Sequence, residues 1–194
     1  MPTPTFDLAA PPPSLVSFCR LILLTPDPAE KVNLVRHLCH IFRSGQLPVS
    51  TPSTRDKATD SLVPTEPAPP DAPTRSDLLK VVKPGQMPRL GKGGTVETRI
   101  RTYHSLACIE LWAIDLAIDA MARFWDWRLG GTDGRRGPKL GMRFFSDFLK
   151  VAEDEAKHFT LLKERLAELG CTYGELPVHN GKLGPSLSEA AGQG

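Results

Sequence analysis

The sequence predicts an all-α protein, the first hairpin of a helical bundle preceded by a short N-terminal helical region. Three observations lead there. The stretches 96–127 and 143–169 both repeat apolar residues at spacings of three and four, over lengths that suit long amphipathic helices. Each carries a glutamate inside its apolar stripe, Glu110 in the first and Glu155 in the second, and His158 follows Glu155 by three residues. The run GGTDGRRGPKLG between them is short enough to fold the two helices back on each other as an antiparallel pair.

Composition limits the surroundings. Of 194 residues 19 are proline, many of them before residue 90, which suits a small domain with loose flanks better than one continuous core. A net charge of +2 gives no electrostatic case for nucleic acid or a membrane surface, and RNA is neither supported nor excluded. Cys19, Cys39, Cys108 and Cys171 form no CxxC pair, so they read as reduced thiols rather than a zinc cluster or disulfide framework. The apolar run 14–24 is broken by Arg20, preceded by three prolines (11–13) and too short to span a bilayer. The expectation is a cytoplasmic protein that does not enter the membrane.

In chain order, residues 1–13 are proline-rich. Leu15, Phe18, Cys19 and Ile22 mark a first short helix, which Thr25-Pro26 ends. Asp27-Pro28-Ala29-Glu30 then starts a second, with Asp27 as N-cap, Pro28 at the first helical position and Glu30 placed for a capping box. It runs to about Arg43 with Val32, Val35, Leu38, Cys39 and Phe42 inward and His37 and His40 at the surface, and Gly45 and Pro48 stop it. The expected segments are 1–49 as this N-terminal region, 50–76 as a disordered linker without apolar periodicity, 77–181 as the half bundle and 182–194 as a disordered tail. The GKGGT run at 91–95 lacks the spacing of a phosphate loop and reads as a flexible lead into the next helix.

The first long helix has Tyr103, Leu106, Ala107, Glu110, Ala113, Ile114, Ala117, Met121 and Phe124 along its expected stripe, flanked by Ile109, Leu116 and Ile118, so contact with more than one neighbour is expected. The second has Phe144, Phe148, Val151, Ala152, Glu155, Phe159, Leu162, Leu166 and Leu169. Glu155 and His158 share a face, because side chains at i and i+3 are neighbours on a helix. A buried carboxylate with no partner costs several kcal/mol, roughly, so Glu155 needs a proton, a cation or a metal. On spacing alone three readings stay open: a metal held by Glu110, Glu155 and His158, a buried ion pair, or glutamates at the edge of a stripe. If a metal, carboxylates and imidazole suit iron or manganese, and this set is half of what a di-iron carboxylate bundle uses. Glu153, Asp154 and Lys157 fall on the outer side, and His104 reads as a surface or supporting residue rather than a ligand.

The segments HSLACIELWAIDLAIDAMARF and FFSDFLKVAEDEAKHFTLLKERLAELGCTYGELPVHNG, with CRLILLTPDPAEKVNLV near the N-terminus, resemble an uncharacterised ferritin-like family related to the di-iron tRNA hydroxylases that act on a modified adenosine. The resemblance covers most of the chain outside 50–76. It implies a ferritin-like four-helix bundle with a di-iron centre, Glu110, Glu155 and His158 as the first half of the ligand set, and an oxygen-dependent hydroxylase or oxidase whose substrate the family does not supply. It also implies a third and fourth helix after Gly181, where this chain reads GKLGPSLSEAAGQG, so the expected form is C-terminally truncated. Two such hairpins in a homodimer would together bring four glutamates and two histidines. The alternative is a truncated, non-catalytic helical interaction module.

Overall fold

The computed structural model describes residues 11–55, 62–63, 66–77, 79–82, 94–130 and 137–179. Its helices are α1 (Leu15–Leu24), α2 (Pro28–Arg43), α3 (Val96–Phe124) and α4 (Met142–Glu168). The strands are pairs of residues: β1 (Thr54–Arg55) runs antiparallel to β2 (Leu62–Val63), and β3 (Val81–Val82) parallel to β4 (Val178–His179). Such short pairs close loops and bury no face, so the all-α class stands. The expected tail 182–194, most of the leading 1–13 segment and Gly91 to Gly93 of the GKGGT run lie outside the described residues.

By packing the chain divides into two compact units, Met1–Arg75 with Leu111–Lys157, and Ser76–Glu110 with His158–Gly194. Helices α3 and α4 run unbroken through both. The expected 1–49 region therefore shares a unit with the second half of α3 and the first part of α4.

In the first unit both helix starts are capped, that of α2 by the residue the sequence singles out. Ser14 caps α1 by accepting from the Ser17 N–H, and the Leu15 and Val16 N–H groups donate to the Pro48 and Val49 carbonyls, which satisfies donors a helix start otherwise leaves open. Asp27 caps α2 by accepting from the Glu30 N–H at 2.7 Å, Pro28 sits in the first turn, and Gly45 follows the helix at φ 72°. Phe18, Cys19, Ile22, Val35 and Leu38 are buried between these helices and their neighbours. His40 is exposed and His37 half-buried, its ring 5.9 Å from that of Phe18. The α3–α4 loop closes through an antiparallel bridge, Arg128 to Lys139, and Gly137 is required there: a Cβ at that position would lie 1.9 Å from the Leu129 carbonyl oxygen.

Residues 66–75, expected as part of a disordered linker, are instead laid down as a strap. The Ser17 hydroxyl and the Thr51 N–H donate to Glu66 at 2.7 and 2.5 Å, Arg20 and Arg123 donate to the Ala68 and Pro70 carbonyls, and the Thr74 N–H donates to the Leu23 carbonyl at 2.8 Å. Prolines carry no N–H, so this stretch needs few partners and accepts mainly from side-chain donors. Burial pushes the Glu66 carboxyl up, but hydrogen bonds from Thr51, Ser14 and Ser17 outweigh it and hold the group below its ordinary value.

In the second unit α4 ends in a Schellman arrangement. The Cys171 N–H donates to the Leu166 carbonyl, the Gly170 N–H to that of Ala167, and Gly170 takes φ 77°. The chain then returns so that β4 pairs with β3.

The inward faces of α3 and α4 are rotated from the expected stripes. On α4 the buried residues are Phe145, Leu149, Ala152, Ala156, Phe159 and Leu166, and Val151 is exposed. On α3 His104, Cys108, Leu111 and Asp115 are buried, whereas Leu106 is exposed. Within the first unit α2 supplies the reason, because it competes for the helix surface: Lys31 reaches Asp115 and the Cys39 thiol reaches the Leu149 carbonyl at 3.5 Å.

Candidate metal centre

Helix α3 positions Glu110 at the edge of its buried face, beside Ala107, Leu111 and Ile114, with 20% of the side chain exposed. Helix α4 presents Glu155 half-buried and His158 exposed, while Ala152, Ala156 and Phe159 hold its other side inside. The His158 Nδ1 lies 3.7 Å from the Glu110 Oε2. One donor atom each from Glu110, Glu155 and His158 lies within 4.8 Å of the other two. The three residues that the sequence singles out are thus brought together, at the border of the apolar faces rather than inside them.

The donor set fits a divalent metal of the iron or manganese kind, with two hard carboxylates and one imidazole. Bonds of about 2.1 Å hold donors on one ion no more than about 4.2 Å apart, so small side-chain rotations suffice to close this group on an ion. Partial exposure leaves the site open to a metal and to small molecules.

Neighbouring charges are arranged differently. Arg43 donates to both oxygens of Glu153, at 2.9 and 2.5 Å, so this residue, expected to be solvated, is half-buried and ion-paired. That hydrogen bonding to Arg43 holds the Glu153 carboxyl below its ordinary range. Asp154 and Lys157 pair with each other at 3.5 Å on the outer side.

His104 departs from expectation. It is buried, stacks on Tyr173 with ring centroids 4.9 Å apart, and its Nε2 accepts from the Gly174 N–H at 2.8 Å. Burial, opposed by the nearby Glu175, pushes the imidazole down. It anchors the turn after α4.

Sequence reading missed the buried cluster of the first unit. The Lys31 Nζ lies 2.5 Å from Asp115 Oδ1, the Arg75 guanidinium lies 2.6 Å from Asp115 Oδ2, and Arg75 also sits 3.9 Å over the Trp112 ring. The available signal was Asp115 inside the apolar run LWAIDLA, one turn beyond Glu110. The four cysteines are buried thiols outside any disulfide, and burial pushes Cys39 up to about 12 and Cys19 higher still, so neither is a thiolate at neutral pH.

The chain is thus an all-α protein that brings two carboxylates and an imidazole together from two long helices. Residues 24–187 match the family described as "Protein of unknown function (DUF455)", and the chain belongs to it. It is 38% identical over 87 residues to an uncharacterized protein of Haemophilus influenzae, a match covering 45% of this chain and 28% of that protein. No solved structure matches. Among the described residues no helix is long and apolar enough to cross a membrane.

Proposed function

We propose that the chain is a ferritin-like carboxylate protein that binds iron through Glu110, Glu155 and His158 and derives from an oxygen-dependent hydroxylase or oxidase. The observation that carries the reading is the convergence of those three donors within 4.8 Å. Manganese suits the same set. A paired-iron centre, when bound, supplies electrons for dioxygen chemistry. The chain's own residues do the rest: the two carboxylates concentrate negative charge that favours a divalent cation, His158 adds a neutral nitrogen donor, and the buried alanines beside Glu155 fix its backbone. The kinship with the tRNA hydroxylases belongs to this proposal, and the substrate is not assigned by it.

The test is iron content after anaerobic loading with Fe(II) and desalting. Replacing Glu110, Glu155 or His158 by Ala is expected to lower bound iron at least about tenfold, while Glu153→Ala leaves it unchanged, since Glu153 is engaged with Arg43. A wild-type protein that retains no iron or manganese, or a Glu153→Ala variant that loses iron as fully as Glu155→Ala, overturns the reading. With Mn(II) at 100 times its dissociation constant, mass action raises stability by about 2.7 kcal/mol. That rise in melting temperature should vanish in Glu155→Ala.

A further inference from the structure

We infer that the exposed face of α3 is a seam for a second copy of this chain, paired antiparallel about Ala113, and that the pair shares one metal centre. The inference rests on the metal-binding reading above. Leu106, Ile109, Ala113, Leu116 and Ala120 follow one another at alternating steps of three and four, the spacing of a coiled-coil seam. Leu106, Ile109 and Leu116 are 39, 54 and 50% exposed in the single chain. Three large aliphatic side chains in one line along a helix make a contiguous apolar strip, not the scattered exposure ordinary surfaces show.

The strip is complementary to itself. A two-fold axis at Ala113 sets Leu106 opposite Ala120 of the partner copy and brings Ile109 within one residue of its Leu116, in both directions, as an isologous interface demands. Large residues meet small ones at the ends, and the small Ala113 at the axis allows the two helices close approach. The same step pattern recurs on α4 through Val151, Glu155, His158 and Leu162, where Val151 is 44% exposed. Glu110 directly follows Ile109, between the seam and the buried face of α3. A two-fold perpendicular to the plane of the paired helices keeps both Glu110 side chains on one side. The pair then offers four glutamates and two histidines, the ligand count of a complete di-iron bundle.

The experiment is a charge swap read by sedimentation and iron content. The wild-type chain is expected to sediment as a dimer of 21.2 kDa chains with two irons per pair. Ile109→Lys and Leu116→Glu, each at an exposed position, should weaken association on the order of 100-fold while leaving the far-ultraviolet spectrum intact, and iron should fall with the dimer. The double variant Ile109→Lys/Leu116→Glu should recover both, because the antiparallel register brings each lysine within one residue of the partner copy's glutamate. A wild-type monomer that still loads iron, or association only with some other protein, overturns the shared seam and leaves the metal reading intact. A dimer that is broken and rescued as expected but never holds iron overturns the shared centre together with the metal reading. Failure of the double variant to recover association overturns the register about Ala113.

Discussion

Helix α3 carries two polar clusters one turn apart, and they obey opposite rules. Asp115 is buried in the first unit and meets two cations, Lys31 at 2.5 Å and Arg75 at 2.6 Å, so its charge is more than compensated. Burial pushes the Asp115 carboxyl up and the Lys31 ammonium down, and the mutual attraction opposes that cost without cancelling it. Glu110 lies beside a second carboxylate and an imidazole, with all three side chains partly exposed. The contrast separates architecture from function. A dry cluster of one carboxylate and two cations ties α2, α3 and the 66–75 strap together, whereas the more exposed cluster groups two carboxylates with an imidazole, the set that the proposed function assigns to a cation.

The strongest way to break this contrast is to neutralise each cluster in turn. Asp115→Asn leaves two buried cations facing an amide, and removing one partner of a buried pair costs about 3–5 kcal/mol. Denaturant unfolding is expected to show that loss in full. Glu155→Gln, in metal-free protein, is expected to move stability by no more than about 0.5 kcal/mol, in either direction, because the side chain is partly solvated. Equal losses in the two variants would mean that the Glu110 cluster is structural after all.

His104 sharpens the comparison from the other unit, as a buried polar residue whose role is a single hydrogen bond. Its Nε2 accepts from the Gly174 N–H, and stranding that donor costs about 1–3 kcal/mol. Burial lowers the imidazole below its ordinary 6.5, so the unfolded chain binds the proton more readily than the folded one. The stability it contributes is therefore present above pH 6.5 and is lost as pH falls through the lowered folded value. Hydrogen exchange at Gly174, followed from pH 7.5 downward, should report the loss. His104→Gln keeps an acceptor without titrating, so it is expected to flatten that dependence, and an unchanged pH profile would assign the effect to another group.

What the sequence made legible follows the range of each interaction. The limits of α2 were readable because Asp27, Pro28 and Gly45 act within a few residues of the ends they set. Glu110, Glu155 and His158 were readable as a group because i, i+3 geometry and an antiparallel return require no knowledge of the other elements. The rotation of α3 and α4 was hidden: both helices are apolar on more than one face, and which face is buried depends on α2, far away in the chain. The strap was hidden for a related reason. Residues 66–75 have no apolar period, and what orders them are donors on Ser17, Arg20 and Arg123 together with Asp115. Asp115 itself was overlooked because its partners, Lys31 and Arg75, lie 84 and 40 positions away, counting 115 less 31 and 115 less 75.

The smallest expected effect marks the boundary between the two kinds of charge. Arg43 and Glu153 meet with bidentate geometry, but their side chains are 57 and 30% exposed, so water and salt screen them. A pair so placed is worth about 0–1 kcal/mol, far less than the buried Asp115 cluster despite similar distances. Hydrogen bonding to Arg43 lowers the Glu153 carboxyl, so its contribution is present above the ordinary glutamate value and is lost as pH falls through the lowered one. Arg43→Ala is expected to cost at most that small amount at neutral pH and low salt, and nothing measurable at 1 M salt, where screening is nearly complete at these distances. A salt-independent loss would show instead that the Arg43 stem is packing against Glu153 and its neighbours, since long charged side chains also stabilise through their methylenes. In either case bound iron should be unaffected, because what fixes the Glu110, Glu155 and His158 donors is the backbone of two long helices and not the charge on the outer side of α4.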